Sequence, residues 1–272
     1  MAQGMKKKKL WQSLIFKVVC FTCNKMGKPV PSRAKRISET VGGIFLAIFA
    51  AITIRVFIFE PYTIPSGSMI PTMLIGDYLY VYKSGYGISR YSFPFYHPPF
   101  LKGRYFEKRP ERGDVVVFKV PHDTDTNYIK RLIGLPGDKI QVKEGILYIN
   151  GISVPQRPLE DYVEKTASGR IKRTLQFVET LPNGKEYTIL RESTDGQQAY
   201  DNTEEFTVPA DHYFMMGDNR NHSGDSRSAL GSIPFENFVG PAKMVLLSVD
   251  SSIFDLWKLH KIRYERFFKV IR

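Results

Sequence analysis

The stretch IPSGSMIPTM, residues 64–73, sets Ser66 and Ser68 on either side of Gly67 between Pro65 and Pro71. A serine hydroxyl is a poor nucleophile until a neighbouring group takes its proton, so chemistry here needs a base. A second stretch, NYIKRLIGLPGDKI (127–140), holds Lys130 within an apolar run. Alternation along a strand puts Tyr128, Lys130 and Leu132 on one face and Ile129, Arg131 and Ile133 on the other. Lysine on a partly buried face is unusual. Desolvation lowers its pKa from about 10.4 by up to several units, and the neutral amine is then a usable base. Ser–Lys pairs are one known way to activate a serine. A third stretch, MMGDNRNHSGDSR (215–227), is polar and glycine-marked and lies within apolar surroundings. Pro, Ser and Gly also make ordinary turns, so these stretches gain meaning only from the elements that bring them together.

Those elements read as β-strands. Short alternating or β-branched runs occur at DYLYVYK (77–83), GDVVVFKV (113–120), KIQV and ILYING (139–151), EYTILRE (186–192), EEFTVP (204–209) and AKMVLLSV (242–249), each bounded by turn residues. No long helical periodicity appears among them before the C-terminus, where HKIRYERFFKVIR (260–272) reads either as a plain surface helix or as a basic amphipathic helix touching lipid. Residues 152–203 are more polar than their flanks and mark a smaller lobe inserted into the β core. The loop YSFPFYHPPFLKGRYF (91–106) carries seven aromatic residues. It suits either a packed loop or one that dips into a lipid interface.

The charge distribution argues against a nucleic-acid-binding face. Residues 1–40 hold ten Lys and Arg against Glu39 alone, so +9 of the net +12 sits in a tail and the body is nearly neutral. VGGIFLAIFAAITIRVFIF (41–59) follows, long enough as a helix to match a hydrocarbon core about 30 Å thick. Arg55 lies near its far end, within reach of the headgroups. The positive-inside bias keeps the tail cytoplasmic and puts residues 60–272 on the opposite side. The earlier apolar run, LWQSLIFKVVCFTC, is broken by Lys17 and lacks a small-x-small cleavage site, which fits a retained anchor better than a removed leader. Cys20 and Cys23, the only cysteines, form a CxxC without the further ligands of a metal site.

In this order after an apolar span, IPSGSMIPTMLIGDYLYV, ERGDVVVFK, NYIKRLIGLPGDKI and FMMGDNRNHSGDSR resemble the four sequence boxes of bacterial type I signal peptidases. The resemblance runs from residue 41 to about residue 250. It implies a mostly β, membrane-anchored catalytic domain with a smaller inserted β lobe, preceded by an N-terminal transmembrane helix. The divisions expected are a basic cytoplasmic tail (1–40), a span (41–59), a catalytic core (60–138 and 210–250), an inserted lobe (139–209) and a basic C-terminal segment (251–272). Residue by residue, it makes Ser68 the nucleophile and Lys130 its general base. Ser66 and the Ser68 backbone N–H would form the oxyanion hole, Ser223 would hold the lysine amine, and Asp225 and Arg227 would form a structural ion pair.

The activity implied is removal of signal peptides from exported preproteins after a small-x-small site, without metal or cofactor. It would take place at the bacterial inner membrane, with the catalytic domain on the periplasmic side. Preproteins and membrane lipid are the partners implied, and nucleic acid is not. Ser68 lies eight residues beyond Glu60 and so within about 27 Å of the span even if fully extended, close enough for a substrate still anchored in lipid.

Other readings fare worse. No GxSxG elbow surrounds Ser68, and His222 sits in an Asn-rich loop, which argues against a Ser-His-Asp hydrolase. The cytosolic self-cleaving repressors share Ser–Lys chemistry but have no use for a span. The register of DNRNHSGD puts Arg220 or Leu230 at ligand positions, which defeats an EF-hand. The non-enzyme alternative is a membrane-tethered β binding module with Lys130 as a surface charge.

The topology is directly testable. Protease added outside intact spheroplasts should degrade residues 60–272 and spare the basic tail, as followed by antibodies to each end; protection of the body would reverse the orientation.

Overall fold

A computed structural model describes residues 32–57, 59–93, 97–165, 169–250 and 261–271, the side chains of 32–39, 54–59 and 165 excepted. The chain divides after Arg55 into two units. The first contains all but the last two residues of helix α1 (Ser32–Phe57), whose Ile44, Phe45, Leu46, Ile48 and Phe49 are all more than half exposed. Among the described residues no helix is long and apolar enough to cross a membrane. The last side chains of the expected span lie outside the described residues, as do Cys20 and Cys23.

The second unit is built almost entirely of antiparallel strands. In chain order these are β1 (Phe59–Thr63), β2 (Asp77–Tyr82), β3 (Ile88–Ser89), β4 (Arg104–Tyr105), β5 (Val115–Val120) and β6 (Asp123–Gly134). Next come β7 (Lys139–Lys143), β8 (Ile146–Ile149), β9 (Ile152–Ser153), β10 (Gln156–Pro158), β11 (Tyr162–Lys165) and β12 (Ile171–Thr180). Last are β13 (Glu186–Arg191), β14 (Phe206–Thr207), β15 (His212–Met216), β16 (Ile233–Pro234) and β17 (Phe238–Ser248). A seven-stranded sheet runs β1-β2-β17-β5-β6-β15-β16. One four-stranded sheet is ordered β14-β7-β8-β9; another carries β10, β11 and β13 on β12. β3 and β4 form a separate two-stranded ribbon. The mostly β expectation therefore holds.

The alternation expected on β6 sorts its apolar residues. Leu132 packs with Val116, Phe118 and Tyr213, whereas Ile129 and Ile133 join two other clusters. The turn from Ile64 to Gly76 connects β1 to β2 and lies on the apolar surface made by Leu79, Val81, Val115, Val117 and Val245. It is held there by Ile64, Met69 and Met73, all buried. At roughly 4.8 Å per strand, β2 and β6 stand about 14 Å apart across β17 and β5, so this turn must reach over both to meet Lys130. Burying its two methionines is what carries it across.

The base of that turn is pinned electrostatically. Asp77 is fully buried; it accepts from Leu74 N at 2.9 Å and Ser248 Oγ at 2.6 Å. Arg266 Nε donates to its Oδ1 at 3.0 Å, and the guanidinium also reaches Thr72 O at 3.2 Å. The C-terminal segment departs from the helix expected for it. Residues 261–271 contain only one tight helical turn, Tyr264–Arg266, and otherwise follow β17 through Val245 N to Lys269 O and Ile271 N to Lys243 O, both at 2.9 Å. The reason is the buried Arg266–Asp77 pair, which draws the segment onto the sheet instead of leaving a basic face in solvent.

Removing one partner of such a pair leaves an uncompensated buried charge, at a cost of about 3–5 kcal/mol. Asp77→Ala should therefore lower the unfolding free energy of the detergent-solubilised protein, read from its urea midpoint and slope, by that much. An unchanged midpoint would mean that Arg266 is solvated.

Candidate active site

Ser68 is 7% exposed, in the turn where Gly67 precedes it. Lys130, 4% exposed near the middle of β6, brings its Nζ to 2.6 Å from Ser68 Oγ and donates to it. Burial lowers the Lys130 pKa from the ordinary lysine value to about 8; the charges of Asp225 and Asp218 pull it back up and that of Arg227 pushes it down. The Tyr128 ring centroid lies 5.4 Å from Nζ. The amine is therefore poised to exchange its proton near neutral pH against a hydroxyl already in contact.

The loop after β15 moulds the backbone around Ser68. Asn219 N donates to Ser68 O at 3.1 Å, and Asn219 Nδ2 donates to Gly67 O at 3.1 Å. Gly217 must be glycine, because a Cβ there would clash with Ser223 Oγ and with Ser68 O. Its N–H donates to Asp225 Oδ2 at 2.9 Å. Asp225 in turn holds Arg227, whose Nε and Nη2 donate at 2.9 and 2.8 Å. Burial alone would push the Asp225 carboxyl up, but the Arg227 guanidinium outweighs it and holds the group below the usual carboxylate range.

Of the expected site residues, Ser68 and Lys130 meet directly, and Asp225 and Arg227 meet each other. Ser66 is exposed, with its Oγ 3.4 Å from Ser68 Oγ. Ser223 is buried beside Gly217 with its hydroxyl near the Asp225 carboxylate, and it is not on the lysine amine in this arrangement. His222 is half exposed and bonded to Glu192 at 2.7 Å. Among the described residues no group of three or more His, Cys, Asp or Glu is arranged to hold a metal ion.

Sequence reasoning missed two further pairs. Arg131, 1% exposed, donates to Asp218 through Nε at 2.8 Å and Nη2 at 2.7 Å, and through Nη1 to Gly113 O at 2.9 Å. Asp218 also accepts from Thr72 Oγ1 at 2.5 Å, which ties the serine turn, β6 and the loop after β15 to one carboxylate. Arg220 clasps Glu179 of β12 with both terminal nitrogens and donates to Gly217 O at 3.3 Å. The signal available was an arginine beside each apolar motif, Arg131 after Lys130 and Arg220 after Asn219. Their partners stand 87 and 41 positions away and follow no local spacing.

Comparison with known proteins follows this geometry. Residues 37–247 match the family described as signal peptidase, peptidase S26. Signal peptidase I of Rickettsia massiliae is 42% identical over 226 residues, covering 81% of this chain and 84% of that protein. Signal peptidase I of Rickettsia akari is 45% identical over 213 residues, covering 76% and 79%. A crystal structure of a signal peptidase I from Enterococcus faecalis aligns with 49% of this chain and 97% of its own, at 29% identity and a TM-score of 0.29.

The buried amine has a thermodynamic signature. With the folded pKa at about 8, below the ordinary value of 10.5, the unfolded chain binds the extra proton between those limits. Lys130 therefore costs the fold most below pH 8, on the order of 3 kcal/mol at about 1.4 kcal/mol per pKa unit, and the cost fades as pH rises toward 10.5. Lys130→Met should raise the melting temperature at neutral pH and lose that advantage at high pH. A stability difference independent of pH would refute the desolvated amine.

Proposed function

The chain belongs to the signal peptidase family, peptidase S26, and on that premise we propose that Ser68 and Lys130 are the dyad with which it removes signal peptides from preproteins. The observation that carries the assignment is the 2.6 Å contact between a buried hydroxyl and a buried amine whose pKa is lowered to about 8. In the neutral amine the hydrogen bond reverses and the hydroxyl donates to Nζ. Ser68 Oγ attacks the scissile carbonyl carbon as its proton passes to Lys130, and the carbonyl electron pair moves to oxygen. The Ser68 N–H and the Ser66 hydroxyl donate to that oxyanion, an interaction gained only as the charge develops. Collapse breaks the C–N bond, and Lys130 gives its proton to the departing amine, the new N-terminus of the mature protein. Water then attacks the acyl-serine as its proton passes to Lys130; collapse breaks the C–Oγ bond, Lys130 returns that proton to Ser68 Oγ, and the signal peptide leaves with a new carboxyl group that ionises.

Supporting roles follow from the contacts. Asp225 and Arg227 fix the Gly217 backbone, which in turn leaves room for Ser68 O. Ser223, buried against the same glycine, is the hydroxyl available to steady the Lys130 amine once substrate enters.

The finer organisation belongs to the same proposal. Residues 1–40 form a cytoplasmic tail and 41–59 a span, and the body acts on the periplasmic side as a core of 60–138 and 210–250 with residues 139–209 inserted and 251–272 closing it. The exposed apolar side chains of α1 support the span, since a contiguous run of that kind is a liability in water and natural in lipid.

Two measurements check the dyad on one preprotein. The pH–rate profile should rise with a midpoint near 8, set by the amine, while Lys130→Arg stays inactive because a guanidinium remains protonated at every usable pH. Comparable cleavage by the arginine variant would reduce Lys130 to a positive charge. Ser68→Ala should abolish cleavage and leave the fold intact, whereas Ser66→Ala should cost up to about 3 kcal/mol because the backbone donor remains. Near-normal turnover by Ser68→Ala would remove it as nucleophile.

A further inference from the structure

The hairpin of β12 and β13 lies along the loop that surrounds Ser68. Leu190 N donates to Asp218 O and Glu192 N to Asn221 Oδ1, both at 2.9 Å, so the chain of β13 runs beside the loop backbone. Tyr187 of the same strand is buried, and its ring centroid stands 4.2 Å from the Arg131 guanidinium carbon. Its hydroxyl donates to Glu179 Oε2 at 2.5 Å and accepts from Arg220 Nη2 at 3.2 Å. One side chain therefore touches both the Arg131–Asp218 and the Arg220–Glu179 pair.

Arg131 has polar partners on its other sides. Nε and Nη2 donate to Asp218, Nη1 to Gly113 O, and Nη2 also to Thr72 Oγ1 at 3.4 Å, while Arg220 acts on it as a like charge. An aromatic face attracts a cation without competing for its donors, so the ring can hold the guanidinium against Asp218 and leave those bonds intact. Lys130 is the next residue along β6, and it feels the result. Its Nζ meets Ser68 of the serine turn and the Tyr128 ring of its own strand, and Asp225, Asp218 and Arg227 of the loop act on it through space. Asp218 favours the charged amine, and Arg131 is the cation that offsets this carboxylate.

We propose that Tyr187 is a positioning residue for Lys130: by holding Arg131 on Asp218 and Arg220 on Glu179, it keeps the base desolvated and the Asp218 charge compensated. The hairpin is then part of the catalytic apparatus, acting through the arginine beside the base. Without the ring, Arg131 loosens and water follows it. A less compensated Asp218 and a hydrated amine both favour the protonated lysine, so the pH–rate midpoint rises. The inference rests on the reading of Ser68 and Lys130 as the dyad.

The test compares pH–rate profiles of the full-length, detergent-solubilised protein on one preprotein, for wild type, Tyr187→Phe, Tyr187→Leu and Tyr187→Met. Phenylalanine keeps the ring on Arg131 and should hold the midpoint near 8. Leucine and methionine fill space without a π face. Their midpoints should rise by about half a unit or more, so that kcat at about pH 7 falls about threefold or more and the deficit closes toward about pH 10. A folded leucine or methionine variant that keeps the wild-type midpoint, or loses the same fraction of kcat at every pH, overturns the inference, because a merely structural role does not move the titration. Failure of both to fold while Tyr187→Phe folds also overturns it and assigns the ring to core packing. A wild-type profile with no rise near pH 8 overturns the dyad instead.

Discussion

An ammonium group stripped of water is among the most unfavourable things a protein can bury, and the architecture around Ser68 follows from keeping Lys130 in that position. At 4% exposure the amine has, among the described residues, only the serine hydroxyl within hydrogen-bonding reach and an aromatic face nearby. Among those residues no carboxylate touches it. Asp225 and Asp218 act on it through space, and each is already committed to an arginine. That separation matters, because a carboxylate in contact would restore the charge and remove the base.

The commitments of those carboxylates also set the geometry. Arg131–Asp218, Arg220–Glu179 and Arg227–Asp225 are Arg–carboxylate pairs whose side chains are between 0 and 3% exposed, and each has at least one member in the loop from Gly217 to Arg227. The first ties the loop to β6, the second to β12, and the third folds it on itself. Buried pairs of this kind add little net stability, since desolvation offsets most of the attraction. What they supply is a fixed arrangement. The loop backbone reaches Gly67 and Ser68 from one side while β6 delivers Lys130 from the other. Arg131 and Lys130 are adjacent, so the pairing that locks one residue also fixes the strand that presents the next.

How much of this could be read from sequence depended on how local the cause was. Strands such as DYLYVY and VVVFKV announce themselves because each buries apolar side chains at short spacing. The first half of β6, DTDTNY, and most of β12, IKRTLQFVET, are polar or partly exposed, and hydropathy passes over them. The C-terminal segment resembled a surface helix because the partner of Arg266 lies 189 residues earlier, at Asp77. The meeting of Ser68 and Lys130, 62 residues apart, was expected from the family resemblance of the motifs around them and not from periodicity. The arginine pairs escaped for the same reason as Asp77: a buried charge is explained only by its partner, and partners are set by the sheet.

Desolvation beside Ser68 makes Lys130 give up its proton near pH 8, well below an ordinary lysine. Nitrogen-15 NMR of the lysine side chains, with the Lys130 signal assigned by its absence in Lys130→Met, reads that protonation without reference to activity. A titration midpoint near 8 for this one lysine is the predicted result. A midpoint above 10, alongside the solvated lysines, would contradict it.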